Sequence, residues 1–257
     1  MITERSSIHQ RNAILENRDL VPHVIGGRVN FRGILAFCRN YRVVGISALF
    51  LTGTSERLHR ELHRSGRAFL HYLKQAEKRE LRTSRALPFF DAIGAGDFVG
   101  AAEIARHVRR SWARDEEYEE DFLFVEFLMQ QFFLGADDAS CEALLDRYER
   151  ALQGAEDIRL ELCQALFLAR EDEFTFALNR FLADRDEHLR TVAEGQHVAP
   201  ELLATEWNFS VEGLALLRLA ERKRLLTEVE HLHVPSIARE LPVLPVAHDA
   251  WMRPEEE

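Results

Sequence analysis

The stretch YEEDFLFVEFLMQQFFL, residues 118–134, decides the fold class. Most of its seventeen residues are apolar or aromatic, and Tyr118, Phe122, Phe124, Val125, Phe127, Leu128, Met129, Phe132, Phe133 and Leu134 among them lie all round a helical projection. A helix that is apolar on every side must be covered on every side. The stretch is therefore expected to be a buried central helix, with other elements packed around it.

Working outward, helical periodicity continues from about Asn30 to Leu226, and no run of period-two alternation appears. On the N-terminal side, residues 55–78 place Leu58, Leu62, Phe69, Leu70 and Leu73 at helical spacing between charged residues. That pattern predicts an amphipathic helix with one wet face. Pro88 is suited to a first helical turn, and the helix it opens, with Phe89, Phe90 and Ile93, should stop at Gly94 and Gly96. Asp97 is placed to cap the next helix, through Val108. On the C-terminal side, Gly135 should end the central helix and Asp137 or Asp138 should cap its successor, which carries Leu144, Leu145, Tyr148 and Leu152. Two further helices follow, with Leu162, Cys163 and Leu166 in one and Phe174, Leu178 and Phe181 in the other. A last one, capped by Ser210, holds Val211, Leu214, Leu217 and Leu219. The fold class expected is all-α, with helical hairpins packed into a bundle or a short solenoid-like array. Residues 1–257 are expected to form one domain, with less regular segments at 1–28 and at 234–257, where Pro235, Pro242, Pro245 and Pro254 should break helices.

The turns near Asp97, Asp137 and Asp172 are roughly 35–40 residues apart, the interval of helical-hairpin repeats. "FFDAIGAGDFVGAAEIA" (89–105) and "LFLAREDEFTFALNRFL" (166–182) share a plan of helix end, Asp-bearing turn and alanine-bearing helix. True repetition and ordinary helical hairpins both fit this echo.

Composition narrows the function classes. Hydrophobic residues make up 46% and charged residues 30% of the chain, the balance of a globular protein. The formal net charge of −10 disfavours general binding to phosphate backbones. Cys38, Cys141 and Cys163 form no CxxC pair and are expected to be reduced and near the core. The N-terminus has no signal-peptide apolar region, and 43–51, the most apolar stretch, is shorter than the about 20 residues a bilayer needs. A cytoplasmic location is expected, with no membrane and no nucleic acid as partner.

Three constellations have residue types that could carry chemistry. Asp115, Glu116, Glu117, Glu119, Glu120 and Asp121 crowd around Tyr118. Carboxylates at a helix start are favoured by the helix dipole, which accounts for part of the run. Six together repel one another, and a basic partner would offset that. A solvated helix start and a binding patch both remain open. Glu56, His59 and His63, and the Glu-x-x-His pairs Glu194/His197, Glu228/His231 and Glu230/His233, have metal-like spacing. They fall in the most charged or least regular parts of the chain, and "RLHRELHR" (57–64) reads as a wet face, so no metal and no cofactor is expected. Finally, "GAGDFVG" (94–100) lacks the preceding strand and the lysine of a phosphate loop, and no other nucleotide or nucleophile motif is present. An enzyme is not expected.

The combination "AIGAGDFVGAAEIA" (92–105), "SWARDEEYEEDFLFVEFL" (111–128), "VEGLALLRLAERKRL" (211–225) and "VPSIARELP" (234–242) resembles the immunity protein 49 family over roughly residues 58–241. The first 50 or so residues fit that pattern poorly. The resemblance implies a bacterial, cytoplasmic, all-α antitoxin that binds and neutralises a cognate secreted toxin, a basic domain of which nucleases are one kind. It carries no catalytic residues and supplies no residue-level contact list. From the residues themselves, Asp115, Glu116, Glu117, Tyr118, Glu119, Glu120 and Asp121 are the candidate toxin contact. The alternative function is a helical-repeat adaptor that binds a host protein or peptide.

Overall fold

In a computed structural model of the chain, residues 1, 78–80, 196–197, 242–245 and 255–257 lie outside the description, and residues 2–5 are described by backbone alone. The described residues contain eleven α-helices and no strands. These are α1 (Ile2–Ile25), α2 (Phe31–Thr52), α3 (Glu56–Leu73), α4 (Pro88–Gly94), α5 (Phe98–His107), α6 (Glu119–Met129), α7 (Asp138–Leu152), α8 (Ile158–Leu168), α9 (Glu171–Gly195), α10 (Pro200–Ala204) and α11 (Val211–Arg222). They form an all-α bundle whose continuous core runs from Val21 to Trp251.

Local chemistry sets most helix starts. The side chains of Asp97, Asp137 and Ser210 accept from the backbone N–H of Gly100, Ser140 and Gly213, and Asn30 does the same for Gly33. Each cap satisfies a donor that the first turn leaves unpaired. Pro88 occupies the first turn of α4. The apolar heart of the 118–134 stretch is deeply buried: Phe124, Phe127 and Leu128 are 2%, 1% and 0% exposed. Its ends differ from expectation. Tyr118 stands outside the helix, and residues 130–134 wind as a π-helix, only partly buried, that Gly135 closes at a φ of 70°.

Helix α3, which the sequence pattern gives a wet face, is buried along most of its length. From Leu58 to Leu73 nearly every residue is buried, including Arg64, Arg67, His59 and His63. Its charged side is neutralised internally. Arg64 binds Glu61 at 2.8 Å and Arg67 binds Asp97 at 2.6 Å. At Gly66 the helix meets α4 so closely that an added Cβ would lie 2.9 Å from Ala92 Cβ. The C-terminal segment lies across the same side. Ser55 donates to the Glu240 carbonyl at 2.8 Å, and Tyr41 donates to the Trp251 carbonyl at 2.5 Å. Trp251 is 2% exposed. Periodicity reports where charges fall on a helix, not whether distant segments will cover them.

Two further readings change. Segment 1–28 is mostly helix α1, whose Ala13, Ile14, Val21 and Val24 are buried with the polar Asn17. That polar content dilutes the hydrophobic pattern. Stretch 43–51 belongs to the 22-residue α2, which is long and apolar enough to cross a membrane by length and composition, though 67% of that window is buried in this fold. Burial rather than shortness is what marks α2 as a core helix. The described residues of segment 234–257 include two 3-10 turns, at Ser236–Arg239 and Ala250–Met252.

Candidate functional site

The acidic run spans the end of the connection between α5 and α6 and the first turn of α6, where Glu119, Glu120 and Asp121 lie. Trp112 donates its indole N–H to the Glu117 carbonyl at 2.9 Å, and the backbone N–H groups of Glu116 and Glu117 return to the Ala113 carbonyl. The Glu117 carboxylate accepts from the N–H of Ser84 at 2.9 Å and of Ala113 at 3.1 Å. It is a structural clasp between the turn and the segment before α4. Glu116 pairs with Arg82, Glu119 with Arg147 at 2.6 Å, and Asp121 with Arg159 at 2.7 Å. Arg159 also grips Asp157 at 2.8 Å. Burial alone would raise the Asp157 carboxyl, but the Arg159 guanidinium holds it below the usual range. Further along α6, Arg110 grips Glu126, a carboxylate buried inside the apolar helix, at 2.5 Å.

The run is therefore mostly neutralised from within. Of the six carboxylates, only Asp115 and Glu120 have no hydrogen bond or ion pair within the described structure. Crowding alone does not call for an external cation, because arginines from distant parts of the chain supply the charge. Asp115, Glu116, Glu117, Tyr118 and Asp121 come together with Ser84, Arg85 and Arg114 around a depression of about 510 Å³, while Glu119 and Glu120 lie outside its lining. Tyr118 is 74% exposed at this depression. The Arg114 guanidinium lies 5.5 Å over the Trp112 ring. Glu116, Glu117, Asp121 and Arg114 at the depression are thus held in place by ion pairs, backbone bonds and a ring contact, and the tyrosine projects beside them.

More charge that is not cancelled lies beyond the run. Residues 1–114 carry 20 Lys and Arg against 10 Asp and Glu, whereas residues 115–257 carry 13 against 33. Along α7, Asp138, Glu142, Asp146 and Glu149 are all exposed at helical spacing, and none of the four is in an ion pair within the described structure. Like charges three or four residues apart weaken a helix. The reading of 115–121 missed this stripe because its acids are interleaved with apolar residues rather than contiguous.

The histidine spacings that fall wholly among the described residues bring no metal site together. Among the described residues no group of three His, Cys, Asp or Glu side chains is arranged to hold an ion. His59 is 1% exposed against the backbone of Gly94, Ala238 and Glu240, and burial, reinforced by Arg218, lowers its pKa to about 4. Burial likewise lowers His63 to about 4, although Asp97 at 3.6 Å opposes it. His231 bonds to Asn179 and His233 to Asp186, both at 2.9 Å, while Glu230 holds Ser236, so these residues pin the segment after α11. His197 lies outside the described residues. All three cysteines are free and buried.

No family model, curated protein or solved structure matches this chain.

Proposed function

We propose that this chain is an immunity protein that binds and neutralises a basic toxin domain in the bacterial cytoplasm, using the surface around Tyr118. The observation that carries the reading is a tyrosine 74% exposed beside a depression of about 510 Å³, in the half of the chain with 33 acidic and 13 basic residues. Tyrosine is a frequent interface anchor because it offers an apolar ring and a polar tip. The fixed carboxylates around it lower the ordering cost of binding. The uncompensated acids of α7 add a longer-range field that would hasten encounter with a basic partner. The resemblance to the immunity protein 49 family points the same way.

Co-expression with the toxin domain encoded by the neighbouring gene tests this. The protein should restore growth and co-purify with that domain. Failure to do either would remove the proposal. Asp115→Asn with Glu120→Gln, which leaves every internal ion pair intact, should slow association at low salt, and the effect should fade as screening shortens to about 8 Å at physiological strength.

A further inference from the structure

A second recess lies between α2, the start of α4 and the segment from α9 to α11. Two depressions of about 190 and 360 Å³ share Arg42, Leu87 and Glu206, so they form one cleft with two lobes. The smaller lobe is polar. Arg185 of α9 uses Nη2 to donate to the carbonyls of Glu206 and Phe209. Its Nη1 is buried and has no hydrogen-bond partner among the described residues. A buried donor left unpaired is costly, most of all on a charged group. Burial also lowers the Arg185 pKa, and the nearby Glu212, Glu206 and Asp186 only partly restore it. Arg42, the other cation of this lobe, is itself only a donor, and its Nε already binds the buried Asp91 at 2.6 Å. Glu206 shows the converse deficit. Among the described residues its buried Oε1 has no hydrogen bond, and it lies 3.5 Å from the Arg39 Nε.

The larger lobe is apolar on one side, walled by Leu35, Ala36, Leu87 and Pro88, with Leu87 43% exposed. We propose that this cleft binds a monocarboxylate carrying an adjacent N–H and an apolar body, the chemistry of an acylated apolar amino acid or the C-terminal residue of a peptide. The carboxylate would accept from Arg185, the N–H would donate to Glu206, and the apolar body would cover Leu35 and Leu87. A phosphate dianion fits less well, because Glu206 and Glu212 stand in the same lobe and would repel it.

The test is a heteronuclear NMR titration of the whole chain with N-acetyl-leucine, N-acetyl-leucinamide and a short uncharged-side-chain peptide ending in leucine. N-acetyl-leucine should shift Leu35, Leu87, Arg185 and Glu206 saturably in the millimolar range. The amide should bind about tenfold more weakly or worse, because charge-assisted bonds to arginine are lost. The peptide arm separates the sources: binding at least as tight as N-acetyl-leucine assigns the cleft to a chain terminus, and clearly weaker binding assigns it to a free acid. Arg185→Gln should abolish the shifts. Because that change also loosens the 206–209 loop, Leu87→Trp, which fills the mouth from an exposed position, should abolish them independently. Equal binding of acid and amide, no saturable shift with either acid or peptide, or undiminished binding in Leu87→Trp would overturn the proposal.

Discussion

Asp91→Asn removes one charge from the interior and changes almost no volume. Asp91 is 0% exposed, and its two oxygens are used, one by Arg42 Nε at 2.6 Å and the other by the Ser65 hydroxyl. The Arg42 side chain is 10% exposed. With asparagine at 91 the guanidinium keeps a neutral neighbour and loses its counterion. Breaking one member of a buried pair typically costs about 3–5 kcal/mol, a large part of a domain's total of about 5–15 kcal/mol. Urea unfolding followed by circular dichroism should show that loss as a lower midpoint with an unchanged slope. The double variant Arg42→Met with Asp91→Leu leaves no charge behind and should recover most of it, since apolar replacements of buried pairs are often neutral. The reasoning fails if Asp91→Asn costs less than about 1 kcal/mol. Water entering through the cleft beside Arg42 would then be solvating the cation.

Other perturbations probe other parts of the account. Phe127→Ala, at a ring 1% exposed, should cost about 3–5 kcal/mol in the same assay; a cost near that of a surface change would mean α6 is not a core helix. His59 should make the protein acid-sensitive. Its pKa of about 4 lies below the ordinary 6.5, so the unfolded chain binds the proton first, and stability present above pH 6.5 drains away as pH falls towards 4. The buried acids shift the opposite way, so the check is the gap between wild type and His59→Leu. That gap should move by about 3 kcal/mol over this window, and parallel curves would refute it. Ala169 ends α8 at a φ of 53°, and Ala169→Gly should raise stability by up to about 1 kcal/mol, read as a higher melting temperature.

What the sequence disclosed depended on the range over which each feature acts. Asp97, Asp137 and Ser210 were recognisable as caps because a cap bonds within three residues of itself. Phe124, Phe127 and Leu128 were recognisable as core because their helix lacks a polar face. The burial of His59 and Arg64 was hidden because the segments that enclose α3 include residues near 240 and 251. Tyr118 was placed among the apolar residues of the central helix, yet it precedes α6 and faces outward. The acid run looked like uncompensated charge because Arg82, Arg147 and Arg159, which neutralise it, lie up to 38 residues away in sequence. The Arg185 cleft joins residues from four separated segments and leaves no contiguous motif.

The central claim is that Tyr118 anchors a basic toxin domain. The most direct measurement is the dissociation rate of the Tyr118→Ala complex with the toxin domain from the neighbouring gene, beside that of the wild type. Tyr118 lies outside the helix and is 74% exposed, so its removal should leave the unfolding midpoint unchanged. An anchoring aromatic is commonly worth about 2 kcal/mol or more, so dissociation should accelerate by at least about tenfold. A Tyr118→Ala complex that forms and dissociates at the wild-type rate would contradict the claim.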